Sequence, residues 1–295
     1  MKNQLTSLDF SDKPDIICLN CAENQLTKLD VTTCENLSEF SCSTNQLTHL
    51  DLTHNEKLEK LFCSYNQLTN LDVSKNIRLS EFYCMSNQLA SLDVSDNTKL
   101  ELLACNENLL TNLNVSKNKN LIELYCIDNQ LKNLDTTSNK QLKFIYCSQN
   151  QLSSLDVRNN KKLTHLACGT NQLTELDVSK NTKLTKLLCH CNLLKTLEIS
   201  VNKKLTEFAC FGNQFACLDI SKNLQLTDFL YATEEINSLV VSTKFALTKL
   251  CSTKNHITSS GLGSYAKHIY LSMFFYSGKN ELTIDKTLTL IQQTS

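Results

Sequence analysis

At 295 residues, with 29 Lys plus Arg against 30 Asp plus Glu, the chain carries a formal charge of −1, so no global field draws it to nucleic acid or to an anionic membrane. Five Gly and one Pro exclude a linker-rich or disordered chain, and no apolar run approaches the roughly 18 residues of a membrane span. Six scattered His, with no P-loop, no G-x-S-x-G and no G-x-G-x-x-G, leave no catalytic constellation, so neither enzyme activity nor a cofactor is expected.

The N-terminal stretch MKNQLTSLDFSDKPD has no apolar segment behind Lys2. It predicts no secretory signal and a cytoplasmic protein, with export into a host cell by a route that needs no cleavable signal as the other outcome. From Asn24 a fixed interval takes over. Asn24, Asn45, Asn66, Asn87, Asn108, Asn129, Asn150, Asn171, Asn192 and Asn213 are each 21 residues apart, a period that means stacked units sharing one core. A single unit cannot stand alone, because its few inward side chains return less than its backbone loses on ordering.

Leu58 to Arg78, LEKLFCSYNQLTNLDVSKNIR, shows the unit: L-x-x-[LF]-x-C-x-x-N-Q, then L-x-x-L-D-V-S-x-N-x-x. Its halves of 10 and 11 residues are variants of one phrase, L-x-x-L-x-[apolar]-x-x-N. Alternation in Leu61-Phe62-Cys63 and in Leu71-Asp72-Val73 predicts a short strand in each half, outer residues inward and the middle one outward. Halves this short leave no room for an α-helix. Parallel stacking at ~4.8 Å gives a rod roughly 55 to 60 Å long.

This pattern resembles the leucine-rich repeat family, and within it the bacterial class with 21-residue nested repeats, sometimes called IRREKO repeats, over about residues 3 to 245. The resemblance implies a mainly β, right-handed solenoid of two strands per turn that acts as a non-enzymatic protein-binding module, an effector or a scaffold. Its partner would be a protein of the host or the envelope, and the chain itself a monomer or weak dimer.

Two columns of Asn, the one above and another through Asn55, Asn76, Asn97, Asn118, Asn139, Asn160, Asn181, Asn202 and Asn223, follow the strands where the backbone bends. There each side chain can bond its own turn and a neighbouring one. Cys34 breaks the second column near its start. Ten cysteines from Cys21 to Cys210 recur at the same 21-residue interval. They are one inward repeat position, a column of small buried hydrophobes suited to a reducing compartment, and not a disulfide framework. Cys18-Leu19-Asn20-Cys21 has metal spacing but lacks a second pair and should straddle the strand. Cys189-His190-Cys191 puts one residue in the core and the other two, in isolation, on the surface.

Past Tyr231 the repeat decays, and beyond Asn255 it is lost. The domains are therefore a solenoid over 1–257, about twelve turns, and a C-terminal cap over 258–295. Within the cap Ser264 to Tyr276, SYAKHIYLSMFFY, reads as a short helix stopped by Gly278 or as a capping strand, helix being preferred.

Function is expected at positions the repeat leaves free. In the Cys-bearing half the outward residues Phe62, Tyr83, Met85, Leu102, Tyr125, Ile127, Phe144 and Tyr146 merge on a parallel ladder into one apolar and aromatic patch, the composition of interface cores. They are the candidate partner-binding residues. Cross-strand stacking that only stabilises the ladder, or a C-terminal segment folded over it, would account for the same pattern. The other half presents Asp30, Asp51, Asp72, Asp93, Asp135, Asp156, Asp177 and Asp219 in one column. Neighbouring carboxylates repel by about 1 kcal/mol in water, so each should either bond the following Ser-containing turn or titrate above its ordinary range. A structural or self-associating solenoid, and a carbohydrate or cation binder using this Asp ladder, are the alternatives to protein binding.

Overall fold

The computed structural model describes residues 3–11, 13–232, 238–240 and 249–253, with side chains through 231. The C-terminal cap at 258–295 and its expected helix lie outside the described residues.

One parallel sheet runs the length of the molecule. Its strands are β1 (Cys18–Asn20), β2 (Glu39–Ser41), β3 (Lys60–Phe62), β4 (Glu81–Tyr83), β5 (Leu102–Ala104), β6 (Glu123–Tyr125), β7 (Phe144–Tyr146), β8 (His165–Ala167), β9 (Lys186–Leu188) and β10 (Glu207–Ala209). After β11 (Cys217–Asp219), which lies outside it, the sheet continues through β12 (Asp228–Ala232) and, beyond β13 (Ser238–Val240), ends on β14 (Lys249–Thr253). Every neighbour is parallel and shifted by one repeat, as in Leu61 against Phe82. No helix occurs among the described residues.

The core is the column the sequence dictates. Leu58, Leu61, Cys63, Leu68, Leu71 and Val73 are buried, and their equivalents continue from Cys21 to Phe229 as one cluster. Phe62 points the other way and is half-buried. The inward thiols from Cys21 to Cys189 carry no disulfide.

Each turn is locked by its first Asn. Asn66 Nδ2 donates to the carbonyls of Cys42, Cys63 and Ser64 at 3.0, 3.1 and 3.3 Å, and its Oδ1 accepts the Leu47 amide at 3.0 Å. Each carbonyl of the cysteine column from Cys21 to Cys189 thereby receives two Asn side chains, as Cys84 O does from Asn87 and Asn108. The bend that permits this is left-handed. Nine non-glycine residues from Glu23 to Cys191, each just before its Asn, have φ of 50° to 57°, a conformation that L-residues adopt at a cost.

The second half of the unit departs from the expectation of two strands per turn. Among the described residues β11 alone pairs there, with β13. In the other turns the backbone groups are claimed locally. The Asp72 carboxylate accepts the Ser74 amide at 2.9 Å. Val73 O accepts the Asn76 amide and Asn97 Nδ2, and Asn76 O accepts the Leu79 amide and Asn97 Nδ2. In these turns the Asp and the second Asn hold the backbone in consecutive tight turns without a ladder, although β11 makes the same Asp219–Ser221 bond and still pairs, so that bond alone does not exclude a strand.

That second Asn is only half satisfied. In Asn76, Asn97, Asn118 and their equivalents Nδ2 is bonded but the buried Oδ1 has no partner. Asn160 differs, because Thr136 stands where the other turns have Val, Leu or Ile and its hydroxyl donates to Asn160 Oδ1 at 3.0 Å. One turn has therefore acquired the donor that the rest lack.

Candidate interaction face

The β-strands hold two outward columns. The first residue of each strand gives Lys60, Glu81, Leu102, Glu123, Phe144, His165, Lys186 and Glu207, and the third gives Phe62, Tyr83, Ala104, Tyr125, Tyr146, Ala167, Leu188 and Ala209. A further outward column, two places later, runs through Met85, Asn106, Ile127 and His190. Register brings residues one repeat apart into contact. Phe62 stacks on Tyr83 with ring centroids 4.9 Å apart, and Tyr125 lies 5.1 Å from Tyr146. Phe144 lies 4.8 Å from His165. The gap left by Ala104 between the two aromatic pairs is flanked by Leu102 and Met85.

All eight candidate residues belong to this face. Met85, Tyr125, Ile127 and Tyr146 form a buried cluster, with Tyr83, Leu102 and Phe144 packed against it and Phe62 stacked on Tyr83. Their exposure is uneven. Tyr125 has no exposed surface, its hydroxyl donating to Glu123 Oε2 at 2.5 Å, whereas Phe62, Tyr83, Leu102 and Phe144 are half-buried. The cluster also reaches farther than the sequence patch, through Ala167, Leu188, Ala209 and Leu230, with Phe211 against it.

His190 corrects the expectation that it is isolated on the surface. It is buried, stacks on Phe211 at 4.9 Å, and burial lowers its imidazole pKa to about 4, so it is neutral at pH 7. Gly169 makes room for it, since a Cβ there would lie 2.4 Å from the His190 ring. A glycine at a repeat position otherwise held by larger residues was the sequence signal for that close approach. Cys18 is exposed and Cys21 buried, on opposite sides as the strand requires.

On the other half of each turn a shallow groove is lined by His49, Asp51, Asp72, Ser74 and Asp93, among others. The aspartates do not titrate above their usual range. The hydroxyl and amide of Thr53 hold Asp51 below it, and the amide and hydroxyl of Ser74 do the same for Asp72. Asp156 is brought down to about 2, chiefly by its hydrogen bonds from the Arg158 side chain and amide. Asn114 and Glu198, which interrupt the column, accept the amides of Ser116 and Ser200 in the same way. Each carboxylate thus has a turn-forming role. Among the described residues no group of three or more His, Cys, Asp and Glu side chains is placed to hold a metal ion, and no helix is long and apolar enough to cross a membrane.

No protein-family model matches the chain, and no curated protein matches it. Solved structures do. A functional domain of InlJ from Listeria monocytogenes, which includes a cysteine ladder, is 35% identical with a TM-score of 0.76, over 88% of this chain and 63% of that one. The chain therefore spans less than two thirds of the InlJ structure. YopM, a leucine-rich effector protein from Yersinia pestis, is 21% identical with a TM-score of 0.64, over 82% of this chain and 70% of its own. The internalin InlF from Listeria monocytogenes is 19% identical with a TM-score of 0.62, over 82% and 83%. At their identities the last two share the fold alone.

Proposed function

Because the chain is a bacterial-type leucine-rich-repeat protein with 21-residue nested repeats, we propose that it works as a protein-binding module with no catalysis of its own, and that its partner docks on the outward face of the Cys-bearing ladder. The observation that carries this reading is the contiguity of the apolar cluster on one face of the sheet, against Asp, Asn, Ser and Thr in the other half of each turn. Phe62, Tyr83, Leu102 and Phe144 offer the half-buried surface a partner would cover. Aromatic anchors of this kind dominate interface energetics. The partner class we propose, a host or envelope protein, rests only on the resemblance of the 21-residue repeat to bacterial leucine-rich repeats. The cation-binding alternative loses support because each carboxylate of the Asp column is committed to its own turn.

The test is a paired capture experiment on a partner isolated with the native chain. Phe62→Ser with Tyr83→Ser should weaken capture at least thirty-fold, which corresponds to about 2 kcal/mol at an interface hot spot. Asp72→Asn with Asp93→Asn should leave it within three-fold. Tyr125→Ala is the wrong probe, because its ring is fully buried and its removal costs stability, roughly 3–5 kcal/mol for a large aromatic. Undiminished capture by the double Ser variant, with an unchanged far-UV spectrum, would overturn the reading.

A further inference from the structure

The formal charge of −1 conceals a segregation of charge along one edge of the solenoid. Each turn bends at its second Asn, and two residues follow that Asn before the next buried Leu, as Ile77 and Arg78 do between Asn76 and Leu79. From Arg78 to Lys204 these two positions hold nine Lys and Arg over seven consecutive turns, and no Asp or Glu. Lys161 with Lys162 and Lys203 with Lys204 fill both. All nine are exposed. The fold does not call for them, since Ile77, Thr98, Asn120, Gln141 and Thr182 stand at the same positions.

The turns are tied together at this edge. Asn97 Nδ2 donates to Asn76 O and Asn118 Nδ2 to Asn97 O, both at 2.9 Å, and Asn120 Nδ2 reaches Thr98 O at 3.1 Å. The cations therefore stand in line over six intervals of ~4.8 Å, roughly 29 Å in all, where neighbours of one sign repel. None of the nine is in an ion pair, because the pairs among the described residues are Lys60 with Glu81, Arg158 with Asp156 and Lys186 with Glu207. Nor do the flanking columns oppose them. The residue before the second Asn adds Lys75, Lys117 and Lys180 against Asp96, and the residue after the buried Leu gives Glu101 and Lys143 among Ser, Ile and Thr.

Equivalent positions of stacked turns meet a flat surface together. Exposed apolar side chains bracket the line: Ile77, 56% exposed, beside Arg78 at one end, and Val201 and Leu224, 41% and 45% exposed, around Lys203 at the other. A soluble polyanion gains nothing from them, whereas the interface of an anionic bilayer takes up cations and apolar side chains side by side. No aromatic residue stands in the line for bases to stack on. We propose that this cationic edge lays the solenoid lengthwise on an anionic membrane surface. The line precedes the strands, and none of the candidate partner-binding residues stands in it, so membrane contact and partner binding use different residues.

The test needs no protein partner, so it fails separately from the binding reading. The full chain is sedimented with vesicles of phosphatidylcholine alone and of phosphatidylcholine mixed with phosphatidylserine, at ~0.15 M salt. Binding to the mixed vesicles alone is expected. One cation at an anionic surface raises affinity about five-fold, so Lys140→Gln, Lys161→Gln and Lys203→Gln together should weaken binding by roughly thirty-fold or more. The same charge removed between the first Asn and the Asp column, by Lys28→Gln, Lys132→Gln and Lys195→Gln, should change it less than about three-fold. All six lysines are exposed, and an unchanged far-UV spectrum checks that both variants fold. Ile77→Ser with Leu224→Ser should weaken vesicle binding and leave retention on a heparin column unchanged. Equal losses from the two lysine variants, no binding to the mixed vesicles, or retention on heparin with the vesicles ignored would each overturn the proposal.

Discussion

Raising the pH from 8 to 10 should unfold the solenoid cooperatively, with thiolate formation and loss of far-UV ellipticity coinciding. Burial pushes up the thiols of Cys21, Cys42, Cys63, Cys84, Cys105, Cys126, Cys147, Cys168 and Cys189, to about 11 for Cys21 and about 12 for Cys105 and Cys168. The folded chain therefore keeps protons that the unfolded chain releases above about pH 8.5. Stability is intact below that value and falls as pH rises toward the folded values. Each such thiol contributes about 1.4 kcal/mol per pH unit. Nine acting together remove on the order of 10 kcal/mol within one to two units, as much as many domains possess. Replacing Cys105, Cys126 and Cys147 by Ala should reduce the steepness of the transition by about three protons. A transition whose steepness ignores these substitutions would show that the column is not what titrates.

The two asparagine columns should respond very differently to truncation. Asn108→Ala removes three donations, to Cys84, Cys105 and Asn106, and strips the Leu89 amide of its acceptor at 3.0 Å. A buried amide without a partner costs about 1–3 kcal/mol. With the lost bonds, Asn108→Ala should cost about 3–4 kcal/mol. Asn118→Ala loses donations to Val94 O and Asn97 O, but these carbonyls still accept the amides of Asn97 and Leu100. It also removes an Oδ1 that is buried without a partner. About 1–2 kcal/mol is expected. Urea midpoints of the two variants at constant m-value decide the matter, and equal losses would contradict the distinction.

The repeat makes the architecture readable, because each position is sampled ten times in one chain. A column that is always Leu, Cys or Asn declares its environment, whereas the position of Phe62, Tyr83 and Ala104 declares that it has none fixed. The single ladder was not readable. Leu71-Asp72-Val73 alternates as a strand should, yet it does not pair and its Asp72 carboxylate accepts the Ser74 amide, a bond that Asp219 also makes to Ser221 in the paired β11. The same bond explains why a column of carboxylates is tolerated. Alternation shows which way Tyr125 points but not what lies over it, so its complete burial was hidden, as was that of His190. Outwardness is a local property set by strand geometry. Burial on an outer face depends on the side chains of the adjacent turns, such as Tyr146 against Tyr125 and Phe211 against His190, which alternation within one strand does not encode.

The claim at the centre of this account is that the outward face of the Cys-bearing ladder is where a partner binds. Hydroxyl-radical footprinting of the native chain with and without its captured partner tests it most directly, with oxidation read residue by residue. The account predicts at least five-fold protection of Phe62 and Tyr83, with Leu102 and Phe144 following, and unchanged oxidation of the exposed His49 in the Asp groove. Protection confined to the Asp groove, with Phe62 and Tyr83 as reactive as before, would contradict it.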